Sequence, residues 1–99
     1  LEEFISAYGH SDEMLCTYIQ NKEYEKIKSL AIDMRGLTRT MGAYRMHETA
    51  GRIYKLFLYG NLDMLNKHAK EYERDLDNLK NSIIKYVLGS SFEHPDETS

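Results

Sequence analysis

The sequence predicts an all-α fold, an antiparallel up-down bundle of four helices, and three observations support it. Apolar residues recur at spacings of three and four along nearly the whole chain, which is the period of a helix with one buried face. Short polar or glycine-containing turns separate these segments, and short connections favour antiparallel neighbours. The sequence shows no strand pattern and no internal repeat. Continuous heptads hold only in the last helix, so a long coiled coil is the less favoured alternative.

Helix A is predicted over about residues 2–19 and helix B over about residues 22–40. The inward positions of helix A are apolar or aromatic: Leu1, Ile5, Tyr8, Leu15 and Ile19. Helix B has a longer inward stripe: Tyr24, Ile27, Leu30, Ala31, Met34, Leu37 and Met41. Gly9 is expected to kink or interrupt helix A, because Ser11 or Asp12 can cap a second helical segment after it.

Helix C is predicted over about residues 43–59 and helix D over about residues 62–88. The stripe of helix C is Ala43, Met46, Ala50, Ile53 and Phe57, with Leu56 and Leu58 off it. The stripe of helix D is Leu62, Leu65, Ala69, Tyr72, Leu76, Leu79, Ile83 and Tyr86. Asn61 is expected to cap helix D and Gly89 to end it. Residues 89–99 are small, polar and unpatterned, which is typical of a disordered tail.

Composition narrows the class of protein. A chain of 99 residues forms a single domain, and its net charge of −3, with interspersed signs, gives no basis for binding nucleic acid. Cys16 is the one cysteine, so no disulfide forms within the chain and a reducing, cytoplasmic setting is expected. No apolar run approaches the ~18 residues that a membrane span needs, and no signal peptide is recognisable.

The outer face of helix B holds an unexpected apolar residue. At about 100° per residue, Ile32 lies more than a quarter turn from the core stripe. Glu25, Lys28, Arg35, Gly36 and Arg39 lie on the same side. A glycine within a helix costs ~0.5–1 kcal/mol relative to alanine. We therefore expect Gly36 to allow a partner to approach helix B closely. The surface that the partner meets has Ile32 as its apolar centre and basic residues around it.

The segment "SLAIDMRGLTRTMGAYRMHETAGRI" resembles the signature of histidine-containing phosphotransfer (HPt) domains. The positions that match the signature are a basic residue followed by a glycine, then a Gly-Ala pair, and then an alternation of apolar and small residues. They are Arg35, Gly36, Gly42, Ala43, Met46, Ala50 and Ile53. The segments "NKEYEKIKSLA" and "YGNLDML" resemble the entries into the second and last helices of that family. The resemblance covers about residues 1–88 and implies an HPt-like four-helix bundle.

The family places its phosphorylated histidine where this chain has Ile32. Isoleucine offers no nitrogen lone pair as a nucleophile, so the resemblance implies a degenerate member that is not an enzyme and needs no cofactor. Members of the family exchange a phosphoryl group with receiver domains of response regulators, which present an acidic pocket rimmed by apolar residues. The expected partner is such a receiver domain, in the same parent protein or another. The expected contact residues are Lys28, Ile32, Arg35, Gly36 and Arg39.

Two alternative functions remain open from the sequence. The chain could be a structural or dimerisation bundle in which Ile32 packs against a second copy, although we expect a monomer. It could also be an active phosphotransfer protein that uses His47, which flanks the core stripe of helix C, as the acceptor. Asp33 could form an acyl phosphate in principle, but it points away from Gly36.

A metal site is not expected. His68 and Glu71 form an i, i+3 pair on helix D, and such pairs can ligate metals. Further ligands at matching spacing are missing from the sequence, so a hydrogen bond or ion pair at the surface is the better interpretation.

Overall fold

The computed structural model describes residues 2–98, with side chains described for residues 2–89. Its elements are α1 (Glu2–Tyr8), α2 (Ser11–Gln20), α3 (Tyr24–Met41), α4 (Tyr44–Tyr59), a 3₁₀ turn (Leu62–Met64) and α5 (Leu65–Thr98). Every element within residues 2–98 is helical, which confirms the all-α class. None of these helices combines the length and the apolar character that a transmembrane span requires.

Four of the helices pack in a ring. α2 contacts α3 and α5, and α4 also contacts α3 and α5, with the most extensive contact between α3 and α4. The core between them is apolar and includes one aromatic residue from α1: Phe4, Leu15, Ile27, Leu30, Ala31, Met34, Met46, Ala50, Ile53, Leu56, Leu65, Tyr72, Leu76 and Ile83. The helices therefore form a bundle with a continuous apolar interior.

The first predicted helix is broken at Gly9, where the sequence predicts a kink. The Gly9 N–H donates to the Ile5 carbonyl at 2.8 Å, and a Cβ at Gly9 would overlap that carbonyl oxygen. Lys80 Nζ donates to the Gly9 carbonyl at 2.7 Å, which ties the break to α5. The prediction that Ser11 or Asp12 caps α2 is wrong, because no side chain caps this helix and the Ser11 hydroxyl is buried.

A tight turn sets α3 and α4 side by side. Gly42 adopts a left-handed conformation with φ of 74°. Its N–H donates to the Arg39 carbonyl at 3.2 Å, and the Ala43 N–H donates to the Thr38 carbonyl at 2.9 Å. Together these bonds satisfy the carbonyl groups at the end of α3, and the left-handed conformation that permits them suits glycine. The two-residue connection fixes α4 as the direct neighbour of α3.

The prediction that Tyr24, Leu37 and Tyr86 face the core is wrong. Tyr24 and Leu37 are 39% and 38% exposed, and Tyr86 is 66% exposed. Tyr86 is exposed although Ile83 before it is buried and Val87 after it packs against the core, so Tyr86 falls off the packed side of α5. Leu56 was placed off the core but is only 7% exposed, because α4 is buried against α3 on one side and α5 on the other.

The end of α5 also differs from the prediction. The helix continues past Gly89 to Thr98, so Gly89 does not act as a stop. Gly42 and Gly60, which follow the ends of α3 and α4, have positive φ, whereas Gly89 keeps a helical conformation. Most of the predicted tail, residues 89–99, consists of residues whose side chains the structure does not describe. The predicted inward position of Leu1 also lies outside the described residues.

Candidate functional site

Ile32 lies on the outer surface of α3, with 46% of its surface exposed. Its neighbour Ala31 and the residue Met34, half a turn later, are buried at 2% and 0%. The helix therefore turns one branched apolar side chain toward solvent while its opposite side builds the core.

Side chains of α4 adjoin this surface and extend it. We call the combined surface the hairpin face, and it consists of Lys28, Ile32, Arg35, Gly36 and Arg39 from α3 with His47, Gly51 and Tyr54 from α4. The contacts described below, between α3 and α4, bring these residues together. Four of the five predicted contact residues are exposed and Lys28 is partly buried.

Arg35 lies along α4. Its guanidinium carbon is 5.7 Å from the centre of the Tyr54 ring, which is a cation–π distance. Its Cδ would be 4.0 Å from a Cβ placed at Gly51, so the missing side chain there leaves space for the arginine stem. The sequence could not show this contact, because Arg35 and Tyr54 belong to different helices. Arg35 thus links the two helices and keeps its positive charge on the hairpin face.

His47 is held against the backbone of α3. Its Nδ1 is 2.8 Å from the Arg35 carbonyl oxygen. A carbonyl oxygen only accepts hydrogen bonds, so Nδ1 must be the protonated nitrogen of the ring. The other nitrogen, Nε2, has no protein partner among the described residues and is not a buried unsatisfied atom. In the neutral ring, Nε2 therefore carries a lone pair that solvent can reach.

Gly36, one turn after Ile32, leaves open space that we call the notch. A Cβ built on Gly36 would have no heavy atom within 4 Å, and Gly36 is not among the residues with positive φ. The fold of this chain therefore does not require glycine at this position. A helix that keeps glycine here despite its cost of ~0.5–1 kcal/mol is consistent with the predicted approach of a partner.

The cations of the hairpin face make no ion pair among the described residues. Within residues 2–89, the ion pairs of arginine and lysine involve Lys26, Arg52 and Arg74 instead. Asp33 lies on the opposite edge of α3, where it borders a groove against α1 and α2, so it does not offset the charge beside Ile32. The hairpin face is consequently apolar at its centre and basic around it.

The histidine–glutamate pair on α5 forms a hydrogen bond between His68 Nδ1 and Glu71 Oε1. Burial raises the pKa of Glu71, but the hydrogen bond and charge of His68, with the charges of Arg52 and Lys67, together lower it by more, so the pKa lies below its ordinary value. In the part of the chain that is described, no group of three or more potential ligands is close enough to hold a metal ion. The pair is thus a local polar contact.

The sequence analysis missed a buried polar pair between α4 and α5. Thr49 Oγ1 donates to Asp75 Oδ2 at 2.5 Å, and both residues are buried. The other oxygen, Oδ1, is a buried polar atom without a hydrogen-bond partner. Helical spacing offered a signal, because Asp75 follows the inward Tyr72 by three residues and Thr49 follows the inward Met46 by three.

The resemblance to HPt domains stays a prediction from the sequence alone. A scan against models of protein families, a search of curated proteins and a search of solved structures each find no match for it.

Proposed function

We propose that this chain is an HPt-like module that docks receiver domains of response regulators without transferring a phosphoryl group. The observation that carries the proposal is Ile32. It is 46% exposed on the hairpin face, at the position where the resemblance expects a phosphorylated histidine. Isoleucine cannot act as a phosphoryl acceptor, because it has no lone pair to attack phosphorus.

The chemistry of the hairpin face suits an acidic pocket with an apolar rim. Burying Ile32 completely against such a rim would contribute ~1.5–3 kcal/mol to binding. Lys28 and Arg39 have no ion-pair partner among the described residues, so they are available to an acidic partner. These charges would mainly raise the association rate and orient the complex. A module of this kind could sequester a response regulator or position one within a larger signalling protein.

The substitution Gly36→Ala separates docking from folding. Because the added Cβ meets no atom of this chain, we expect the free energy of unfolding to rise by ~0.5–1 kcal/mol. The same methyl group would fill the notch that a partner approaches, so receiver binding should weaken by about ten-fold. Chemical denaturation measures the first effect, and isothermal titration with receiver domains measures the second.

Gly89→Ala is the matched control for this experiment. Gly89 lies within α5, and a Cβ built on it also meets no atom within 4 Å. Because Gly89 is remote from the hairpin face in sequence and on another helix, we expect its substitution to leave receiver binding unchanged. Equal binding by the wild type and Gly36→Ala would show that partners do not approach through the notch.

His47 supports a second candidate function, an active phosphotransfer protein. The hydrogen bond from Nδ1 to the Arg35 carbonyl fixes the ring and leaves the lone pair on Nε2, which is the arrangement a nucleophilic histidine needs. If this function is correct, a phosphorylated receiver should give the chain an acid-labile label that His47→Ala abolishes. His68→Ala is the control, and it should retain the label. An unlabelled wild type would rule this function out.

A further inference from the structure

Arg35 differs from the other cations of the hairpin face, because α4 restricts its side chain. Its guanidinium carbon lies over the ring of Tyr54, 5.7 Å from the centre, and its Cδ is 4.0 Å from the position of a Cβ at Gly51. Within residues 2–89, the other cation over an aromatic ring is Lys26, which lies outside the hairpin face. The guanidinium of Arg35 therefore has fewer accessible positions than the cations of Lys28 and Arg39.

The hydrogen-bond donors of Arg35 remain available. A guanidinium group carries five N–H donors in its plane, and an aromatic ring over one side of that plane leaves the donors free. Among the described residues, the side-chain hydrogen bond from an arginine is that of Arg52, and the ion pairs of arginine are those of Arg52 and Arg74. The fork of Arg35 thus has no acceptor in the part of the chain that the structure describes.

The carboxylates nearest to Arg35 in the sequence and on α4 are engaged elsewhere or too distant. Glu48 on α4 forms an ion pair with Arg52 at 3.7 Å. Glu25 shares a side of α3 with Arg35 but precedes it by ten residues, which is about 15 Å along a helix. Asp33 borders the groove on the opposite edge of α3. A carboxylate that reaches Arg35 is therefore one that a partner brings.

We propose that Arg35, held over Tyr54, binds a carboxylate side chain of the partner through two parallel N–H···O bonds. This inference rests on the proposed function, because it assigns a ligand to one residue of the docking surface. Two N–H groups of a guanidinium match the two oxygens of a carboxylate, a geometry that an ammonium group cannot offer. A side chain that is already restricted also loses less conformational freedom on binding.

The proposal divides the hairpin face into two kinds of cation. Arg35 makes a directional contact that slows dissociation, and Tyr54 is its positioning residue. Lys28 and Arg39, which have no ring beside them, act mainly through their charge and raise the association rate. The two kinds respond differently when an arginine is replaced by lysine, which keeps the charge and loses the fork.

The test measures the association and dissociation rates of Arg35→Lys and Arg35→Gln with a receiver domain that binds the wild type. The receiver is used without a phosphoryl donor, so that its acidic groups are carboxylates. We expect Arg35→Lys to keep the association rate within about two-fold and to raise the dissociation rate about ten-fold, because the charge remains and the paired hydrogen bonds are lost. Arg35→Gln should lower the association rate as well.

Arg74→Lys is the control for this replacement. Its side chain is 65% exposed on α5, away from the hairpin face, so both rates should match those of the wild type. If Arg35→Lys dissociates as slowly as the wild type, Arg35 acts through its charge alone and this inference is overturned while docking stands. A wild type that binds no receiver would overturn the proposed function and this inference with it.

A double-mutant cycle tests the role of Tyr54. We expect Tyr54→Leu to raise the dissociation rate about three-fold, whereas Tyr54→Phe, which keeps the ring, should retain the wild-type rate. In the Arg35→Gln background, Tyr54→Leu should leave the dissociation rate unchanged, because its effect runs through Arg35. An equal loss in both backgrounds would contradict the positioning role. If Tyr54→Leu does not fold, the comparison of Arg35→Lys with the wild type still decides whether Arg35 binds a carboxylate through its fork.

Discussion

Replacing Ile32 by glutamate is expected to weaken receiver binding by at least about 100-fold, because two losses add. The first is the burial of an isoleucine side chain, worth ~1.5–3 kcal/mol when burial is complete. The second is the cost of bringing a carboxylate against an acidic and apolar surface, where it has no partner. Folding should be unaffected within ~0.5 kcal/mol, since Ile32 is 46% exposed in the free chain. Isothermal titration measures the affinity and thermal unfolding measures the stability.

Ile84→Glu is the matched control for the Ile32 substitution. Ile84 is 47% exposed but lies on α5, away from the hairpin face, so its substitution should leave receiver binding unchanged. If Ile32→Glu binds as tightly as the wild type, the hairpin face is not the docking surface. Sedimentation of the same variants tests the alternative of a dimerisation bundle. A wild-type dimer that Ile32→Glu dissociates would assign the hairpin face to contact between copies of this chain.

Thr49→Val is expected to destabilise the fold by ~1.5–3 kcal/mol, although valine has nearly the same shape as threonine. The substitution removes the hydroxyl that donates to Asp75 Oδ2 at 2.5 Å. Because Oδ1 has no partner among the described residues, the buried carboxylate would then lack any hydrogen bond from the described side chains. It also removes the acceptor for Arg52, whose Nη2 is 3.3 Å from the Thr49 hydroxyl oxygen.

Thr49→Ser separates the hydroxyl group from the methyl group. It keeps the donor to Asp75 and loses only a buried methyl, so we expect a cost of about 1 kcal/mol. Urea denaturation of both variants, with helix content checked by circular dichroism, measures the difference. Equal destabilisation by valine and serine would mean that packing, and not the hydrogen bond to Asp75, determines the role of Thr49.

Local features of the fold were predictable from the sequence. The spacing of apolar residues indicated the helices, because one side of each helix must leave water for the bundle to form. Gly42 could be assigned to the turn between α3 and α4, since a left-handed residue suits glycine. The outward direction of Ile32 followed from the same helical period, because its neighbours on the core stripe fix the rotation of α3.

Features that depend on which helices are neighbours were not predictable in this way. Leu56 is buried because α5 covers one side of α4. Ser11 was expected to cap a helix, yet its hydroxyl lies 2.7 Å from that of Tyr72 in the core. In each case a tertiary contact, distant in sequence, overrode the local preference of the residue.

The candidate site shows the same division. The sequence of α3 alone showed which basic residues surround Ile32, but it did not show where their side chains lie. Arg35 lies over Tyr54, and its carbonyl holds His47, so two of the site's side chains are arranged by the contact between α3 and α4. Only the packed hairpin shows that His47 lies against Arg35, about one turn of α3 from Ile32.

The central claim is that the chain meets its partner through the hairpin face, and a chemical-shift map of the labelled protein titrated with a panel of receiver domains tests it most directly. We expect the amides of Lys28, Ile32, Gly36, Arg39 and His47 to shift together, while the amide of Ile84 does not. Shifts confined to α5, or no shift with any receiver, would contradict the claim.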